Sequence, residues 1–384
     1  VDKLLSMTFP RFSTALRLAA AMAFLSSGMA HAVPMPAHPI LQPDSLKVVA
    51  RTETQIWTQV GVTRSGDLLI LAPRWPGNTG PQLLLQQGGN DPVPFPDAGW
   101  NALDGEPDKH FVSLTGLTVL PDGTIWILDN GAPQRDHAAI AAARLIRIDP
   151  DSHAVTKIIP ITANALHRDS FLAGISIHGS QAYILDSGVA GLLLTDLETG
   201  NTRRFLDHNA ALTAQRPING PDGMLHAANG NLQAIDASLI TISPDGRWIY
   251  FQPYCGPLYR LETQILTDPA TTVTGLDESP TLWYKTGSMG GLTAGSDGTL
   301  YWTDVTTGSI ESYTQGRVPH RIITDSNMHW PGGLATDNHG KLFIPVSQLD
   351  RAPWFTHGPS RVVPPVTIRS LDIPDRAISD VVEK

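Results

Sequence analysis

Apolar and polar residues alternate along this chain in short bursts, each broken by a small-residue turn. The clearest bursts read LTGLTVLPDGTIWILDNG (Leu114 to Gly131) and MGGLTAGSDGTLYWTDVTTG (Met289 to Gly308). Period-two alternation on both sides of an Asp-Gly turn marks a β-hairpin. Six such phrases turn at Gly66, Gly123, Gly179, Gly246, Gly298 and Gly340. Their spacing leaves room in each interval for a four-stranded blade, which needs about 40 residues or more. Outer strands follow where a blade needs them, in RLIRI (from Arg144), GLLLTDL (from Gly191), PLYRLE (from Pro257) and GSIESY (from Gly308). The pattern predicts an all-β, six-bladed β-propeller over residues 45–375. A sandwich would not need six similar phrases. PVTIRSLDI, near the end, is expected to close the ring, and AAIAAARL (Ala138 to Leu145) reads as a short helical insertion.

The first residues follow another pattern. Arg11 and Arg17 precede a short apolar run that ends in Ala30-His31-Ala32. A basic start, a short apolar stretch and a small-residue end are the marks of a signal peptide. The expected divisions are a leader over 1–32, a flexible segment over 33–44, the propeller, and a tail over 376–384. The run is short for a membrane span, so the expectation is an exported protein, periplasmic or extracellular, with no stable membrane insertion.

Composition narrows the function. The 384 residues include 34 glycines and 31 prolines, which suits short strands and many turns. Net charge is −9 without a basic patch, so nucleic acid is not an expected partner. Cys255 is alone and forms no internal disulfide. No nucleophile elbow, Walker loop, HExxH or dinucleotide-binding glycine pattern is present, so no nucleotide or flavin is expected.

In a propeller, the start of each blade's first strand and the end of its second share one face. That geometry places Asp129, Asp186, Asp236, Gln252, Met289, Asp304 and Trp330 around one mouth. Two readings of the carboxylates stay open. Asp129, Asp186, Asn219 and Asp236 could hold Ca²⁺ or another divalent metal, a hard cation that takes six to eight oxygens. Alternatively, Asp before Asn-Gly or Ser-Gly caps its own turn. Asp129, Asp186 and His226 are the candidate catalytic groups. Met289, Asp304, Trp330 and Gln252 are the candidate ligand contacts, an apolar cup with a polar anchor. The loop from Arg216 to Ser238 is long and polar and carries Asn219, Asp222, His226 and Asp236, which suggests binding.

Five phrases in succession, TIWILDNG, AYILDSGVAGLLLTDLETG, ITISPDGRWIYFQPYCGPLYRLE, YKTGSMGGLTAGSDGTLYWTDVTTGSI and MHWPGGLATDNHGKLFIPV, resemble the major royal jelly protein and yellow protein family in a bacterial version. The resemblance implies a six-bladed propeller with a signal peptide, in a group that includes proteins linked to dopachrome conversion, binders of biogenic amines and nutritive proteins. Where that family has Asp-Gly-x-Asn-Gly, this chain reads Asp236-Ala237-Ser238-Leu239. A broader likeness to gluconolactonase and senescence-marker propellers implies a channel metal. Four functions follow as expectations: metal-assisted lactone hydrolysis, tautomerisation of a cyclic substrate, binding of an aromatic or amine small molecule, and a protein scaffold whose partner is unknown.

Overall fold

The computed structural model describes residues 33–132, 142–337 and 339–382. Six four-stranded antiparallel sheets follow one another along the chain. Blade one is Gln59–Val62, Leu68–Leu71, Leu83–Gln86 and Val93–Pro94. Blade two is Leu114–Val119, Ile125–Asp129, Arg144–Ile148 and Val155–Pro160. Blade three is Leu172–His178, Gln181–Asp186, Gly191–Asp196 and Thr202–Phe205. Blade four is Leu239–Ile242, Trp248–Gln252, Leu258–Glu262 and Thr281–Tyr284. Blade five is Met289–Ala294, Leu300–Asp304, Ser309–Tyr313 and Pro319–Thr324. The six-bladed all-β expectation therefore holds, hairpin by hairpin. The second strands are buried along nearly their whole length, as in IWILD and KLFIPV, because they face a neighbouring sheet on both sides. Val, Ile, Leu and aromatic residues from successive blades form the clusters between sheets.

Ring closure differs from the expectation. The segment Val366–Asp372 is the third strand of blade six, outside Ala335–Thr336 and Lys341–Val346. The fourth, closing strand is Lys47–Thr52, which pairs antiparallel with Val366–Asp372. Joining the two ends of the chain in one sheet ties the first blade to the last. Residues 33–44, expected to be flexible, are instead docked. Ile40 and Leu41 donate backbone hydrogen bonds to Arg321 and Ile322 at 2.9 and 2.8 Å and pack on the blade-five and blade-six core. Their apolar side chains supply the reason. The tail docks too: Ala377 is buried, and its carbonyl accepts from Ser312 Oγ at 2.6 Å. Residues 1–32, expected to be a signal peptide, and residues 138–141 of the expected helical insertion lie outside the described residues, while Arg144 and Leu145 already belong to a strand.

Inner strands approach closely at the axis, and glycine permits it. A Cβ on Gly290 would lie 2.0 Å from the Pro331 carbonyl oxygen. Gly174, at φ +83°, would bring one to 2.3 Å from the Ser238 carbonyl oxygen. Side chains also stitch adjacent blades. Gln59 Nε2 donates to the Leu117 carbonyl at 2.8 Å, and Thr303 Oγ1 to the Pro331 carbonyl at 2.7 Å.

One buried acid lies within the blade-five sheet. Glu311 accepts from Trp302 Nε1 at 3.0 Å and pairs with Arg321 at 3.0 Å. Burial, reinforced by the Asp304 carboxylate, pushes the Glu311 carboxyl up to about 7 against the pull of Arg321. The folded state thus binds this proton more tightly than the unfolded state. The associated stability is complete below the unfolded value of 4.5 and is lost as pH rises to about 7. Glu311→Gln should flatten the pH dependence of stability between those limits, as read by urea unfolding of variant and wild type at matched pH.

Candidate functional site

The second strand of blade two ends in Asp129, whose side chain is fully buried. One oxygen accepts from Ser113 N at 2.8 Å and Gly131 N at 3.1 Å. The other accepts from Val112 N at 3.0 Å and from Arg144 at 2.9 and 3.3 Å. Blade three repeats the device with Asp186. It accepts from Phe171 N, Gly188 N and Val189 N at 2.9 to 3.1 Å, from Ser170 Oγ at 2.5 Å, and from Arg204 Nη1 at 2.9 Å. Both carboxylates pin the entry to the first strand onto the end of the second, with a guanidinium from an outer strand neutralising the charge. The geometry corrects the expectation that they act on substrate or hold a metal, because their acceptor sites are already occupied.

The other expected metal ligands do not join them. Asn219 is exposed on a short ribbon, Asn219–Gly220 with Gly223–Met224, where its backbone bonds Ser288 and Thr306. Asp236 caps Ala214 N at 2.8 Å. The residues proposed for a channel cation therefore do not fit one. His226 is exposed, and its carbonyl accepts from His357 Nε2 at 2.7 Å. Among the expected ligand contacts, Met289 is buried between blades four and five, Gln252 is buried and accepts from Thr286 Oγ1 at 2.6 Å, and Asp304 caps Thr307. These three positions are structural. Trp330 alone of that set lines the channel.

The channel mouth has a different wall. A cavity of about 100 Å³ opens between the starts of all six inner strands. Trp75, Phe171, Tyr254 and Trp330 are its aromatic lining, and Ser238, Ser347 and Leu349 complete much of the rim. Tyr254 and Phe355 flank Trp330 with ring centroids at 5.9 and 5.0 Å. Trp330 has a left-handed backbone, φ +48°, which costs a non-glycine residue of order 1–3 kcal/mol. Ser347 stabilises that bend by donating to the Trp330 carbonyl through N at 3.1 Å and Oγ at 2.8 Å. Ile218 and Ile235, from the loop between Arg216 and Ser238, pack in the cluster that contains Trp330 and Leu349. The loop is therefore a packed wall beside the mouth. At the opposite end the channel widens to about 520 Å³ among the hairpin turns, lined by Arg64, Ser65, His178, Ser243 and His339. Nearby, Asp245 bonds within its own turn and Asp67 bonds Ser65 and Gly88 N, and no Trp, Tyr or Phe contributes to the lining.

A polar cluster adjoins the aromatic mouth, one residue along from Trp330 and from Leu349. Asp222, His329 and Asp350 offer ligand atoms that all lie within 4.8 Å of one another. His329 Nδ1 and Asp350 Oδ1 are buried and have no hydrogen-bond partner among the described residues. Arg351 Nη2 lies 3.0 Å from His329 Nε2. Burial pushes the Asp350 carboxyl above its ordinary range, opposed by His329 and Arg351. The neighbouring Gln348 is also left-handed, at φ +51°. Sequence reasoning missed His329 and Asp350. The only signal available was position, since His329 immediately precedes Trp330 in SNMHWPGG.

The architecture and the succession of hairpins agree with one family. A family model described as major royal jelly protein matches residues 112–343, more than half of the chain. The chain belongs to the major royal jelly protein family. No curated protein matches it in sequence. Several solved structures resemble this royal jelly family propeller. A protein of unknown function from Bacteroides thetaiotaomicron is 9% identical, with 85% of this chain and 74% of that chain covered, at a TM-score of 0.54. A luciferin-regenerating enzyme is 10% identical, covering 85% and 94%, at 0.52. Virginiamycin B lyase from Staphylococcus aureus is 15% identical, covering 86% and 99%, at 0.48. At these identities the first two likenesses establish the fold and nothing finer. No helix among the described residues is long and apolar enough to cross a membrane.

Proposed function

We propose that this protein takes a small aromatic or cyclic molecule at the channel mouth, between Trp75, Tyr254 and Trp330. The observation that carries the reading is the mouth itself, where the part-exposed Trp75 and Tyr254 stand beside a buried Trp330 held in a left-handed bend. Backbone strain of this kind persists where surrounding contacts over-determine it, and it concentrates at ligand clamps. At about 100 Å³ the cavity is smaller than the roughly 150 Å³ engineered cavities that admit benzene, so a ring enters it only part-way, with the rest of the ligand in the open mouth. An amine on the ligand would gain about 0.5–2 kcal/mol over an aromatic face. Export supports the same reading only through the leader-like pattern of residues 1–32, which predicts a mature N-terminus at Val33.

Phenethylamine and dihydrocoumarin, an aryl amine and an aryl lactone, serve as probes. Saturable change in tryptophan fluorescence with either one is expected, and Trp75→Ala and Tyr254→Ala should each weaken it. Absence of a response to both probes, or equal affinity in both variants, overturns the site. Hydrolysis of dihydrocoumarin in the same samples tests the finer reading of a lactone hydrolase. Binding without turnover favours the binder.

A further inference from the structure

We propose that Asp222, His329 and Asp350 form a site for a divalent transition-metal ion beside the channel mouth. The inference goes beyond the aromatic site and uses different atoms. Three observations carry it. First, the ligand atoms already lie within 4.8 Å of one another. A zinc-like ion with bonds of about 2.0–2.2 Å sets its ligands roughly 3.4 Å apart, so closure needs a contraction of at most about 1.4 Å. Asp222 is exposed on the loop from Arg216 to Ser238 and can supply that movement. Second, His329 Nδ1 and Asp350 Oδ1 are buried without partners among the described residues. Buried polar atoms in native proteins are nearly always satisfied, and an unsatisfied imidazole nitrogen and carboxylate oxygen side by side are the partners that a bound ion or water takes. Third, the donor set is one imidazole and two carboxylates. Imidazole suits Zn²⁺, Cu²⁺, Fe²⁺ and Ni²⁺, whereas Ca²⁺ and Mg²⁺ take oxygen. Of the divalent metals expected from sequence, Ca²⁺ does not match this set, which also uses none of the four residues expected to hold a metal.

Arg351 defines what the ion must displace. Its guanidinium is always protonated, so at 3.0 Å it donates to His329 Nε2. Nδ1 then carries the ring hydrogen in the metal-free protein. If Nδ1 ligates, that hydrogen leaves and Nε2 becomes a donor facing a donor. If Nε2 ligates, it needs the lone pair that Arg351 holds. Arg351 must release the ring in either case, and it keeps its bond to Gln348 Oε1 at 3.1 Å. In the metal-free state the arginine supplies the positive charge that the ion would bring. Once bound, the metal would join the loop bearing Asp222 to blade six, next to the wall of the proposed aromatic site.

The test uses the full chain without an affinity tag, stripped by a chelator and titrated with CoCl₂. One equivalent of Co²⁺ should bind with a visible ligand-field band, and Zn²⁺ should remove the band where Ca²⁺ does not. Losing a direct ligand should cost at least the about 10–100-fold that loss of an outer partner costs. That loss is expected in His329→Ala and in Asp222→Asn. Asp222 is exposed, so its substitution leaves packing intact and keeps the test open should His329→Ala fail to fold. Arg351→Gln should bind Co²⁺ more tightly by on the order of tenfold, the effect of removing one charge ~6 Å from a dication in a water-like dielectric. No band in the wild-type protein, or a band unchanged in Asp222→Asn, overturns the site. Displacement by Ca²⁺ as readily as by Zn²⁺ overturns the nitrogen-bearing assignment. Phenethylamine binding should survive in Asp222→Asn, so failure of the metal site and failure of the aromatic site give different results.

Discussion

Asp129→Ala should lower the free energy of unfolding by about 3–5 kcal/mol, the cost of breaking a buried ion pair from one side. Arg144 is only 4% exposed and would lose its buried partner. The amides of Val112, Ser113 and Gly131 would lose their acceptor in the same change. Typical domains have about 5–15 kcal/mol of stability in total, so the variant should unfold at much lower denaturant. Asp129→Asn keeps one acceptor oxygen but not the charge, and its loss should fall between alanine and wild type. Equilibrium urea unfolding reads both. A catalytic or metal-binding Asp129 would behave differently, with stability unchanged or raised by the substitution. Asp186 and Arg204 repeat the arrangement, so Asp186→Ala should show the same direction of change.

Trp330→Ala should abolish the fluorescence response to phenethylamine and also cost about 3–5 kcal/mol of stability, as large-to-small changes at buried tryptophan do. The second effect arises because Trp330 is buried and touches both Tyr254 and Phe355. The backbone provides a separate check. At φ +48° a Cβ is unfavourable by roughly 1–2 kcal/mol, and glycine is not. Trp330→Gly should therefore be more stable than Trp330→Ala, the reverse of the order expected in a strand. Thermal or urea unfolding of the two variants measures it. An alanine variant as stable as the glycine variant would show that the left-handed bend at Trp330 is not maintained.

The hairpins were legible because turn chemistry and period-two alternation are local, and each lies within about 18 residues of sequence. Closure was harder to read. Lys47–Thr52 is half exposed, so its alternation is weak, and its pairing with Val366–Asp372 spans nearly the whole chain. Local sequence also left Asp129 undecided between capping and ligation. The deciding partner is Arg144 on the next strand, and for Asp186 it is Arg204, one strand further out. Alternation does not reveal which guanidinium reaches back. Trp330 was legible from its place before an inner strand. The residue beside it was not, because His329 acquires meaning only from Asp350, just after the second strand of blade six, and from Asp222, in the loop before blade four. The long loop was expected to bind, and what it places beside the mouth is Ile218 and Ile235, packed in the cluster around Trp330, while His226 stays exposed.

The location of the small-molecule site is tested most directly by diffraction from crystals grown with 4-bromophenethylamine, using the anomalous signal of bromine. A bromine peak in contact with Trp75, Tyr254 and Trp330 at the narrow mouth is expected. A peak in the wide funnel by His178 and His339, with the mouth empty, would contradict it.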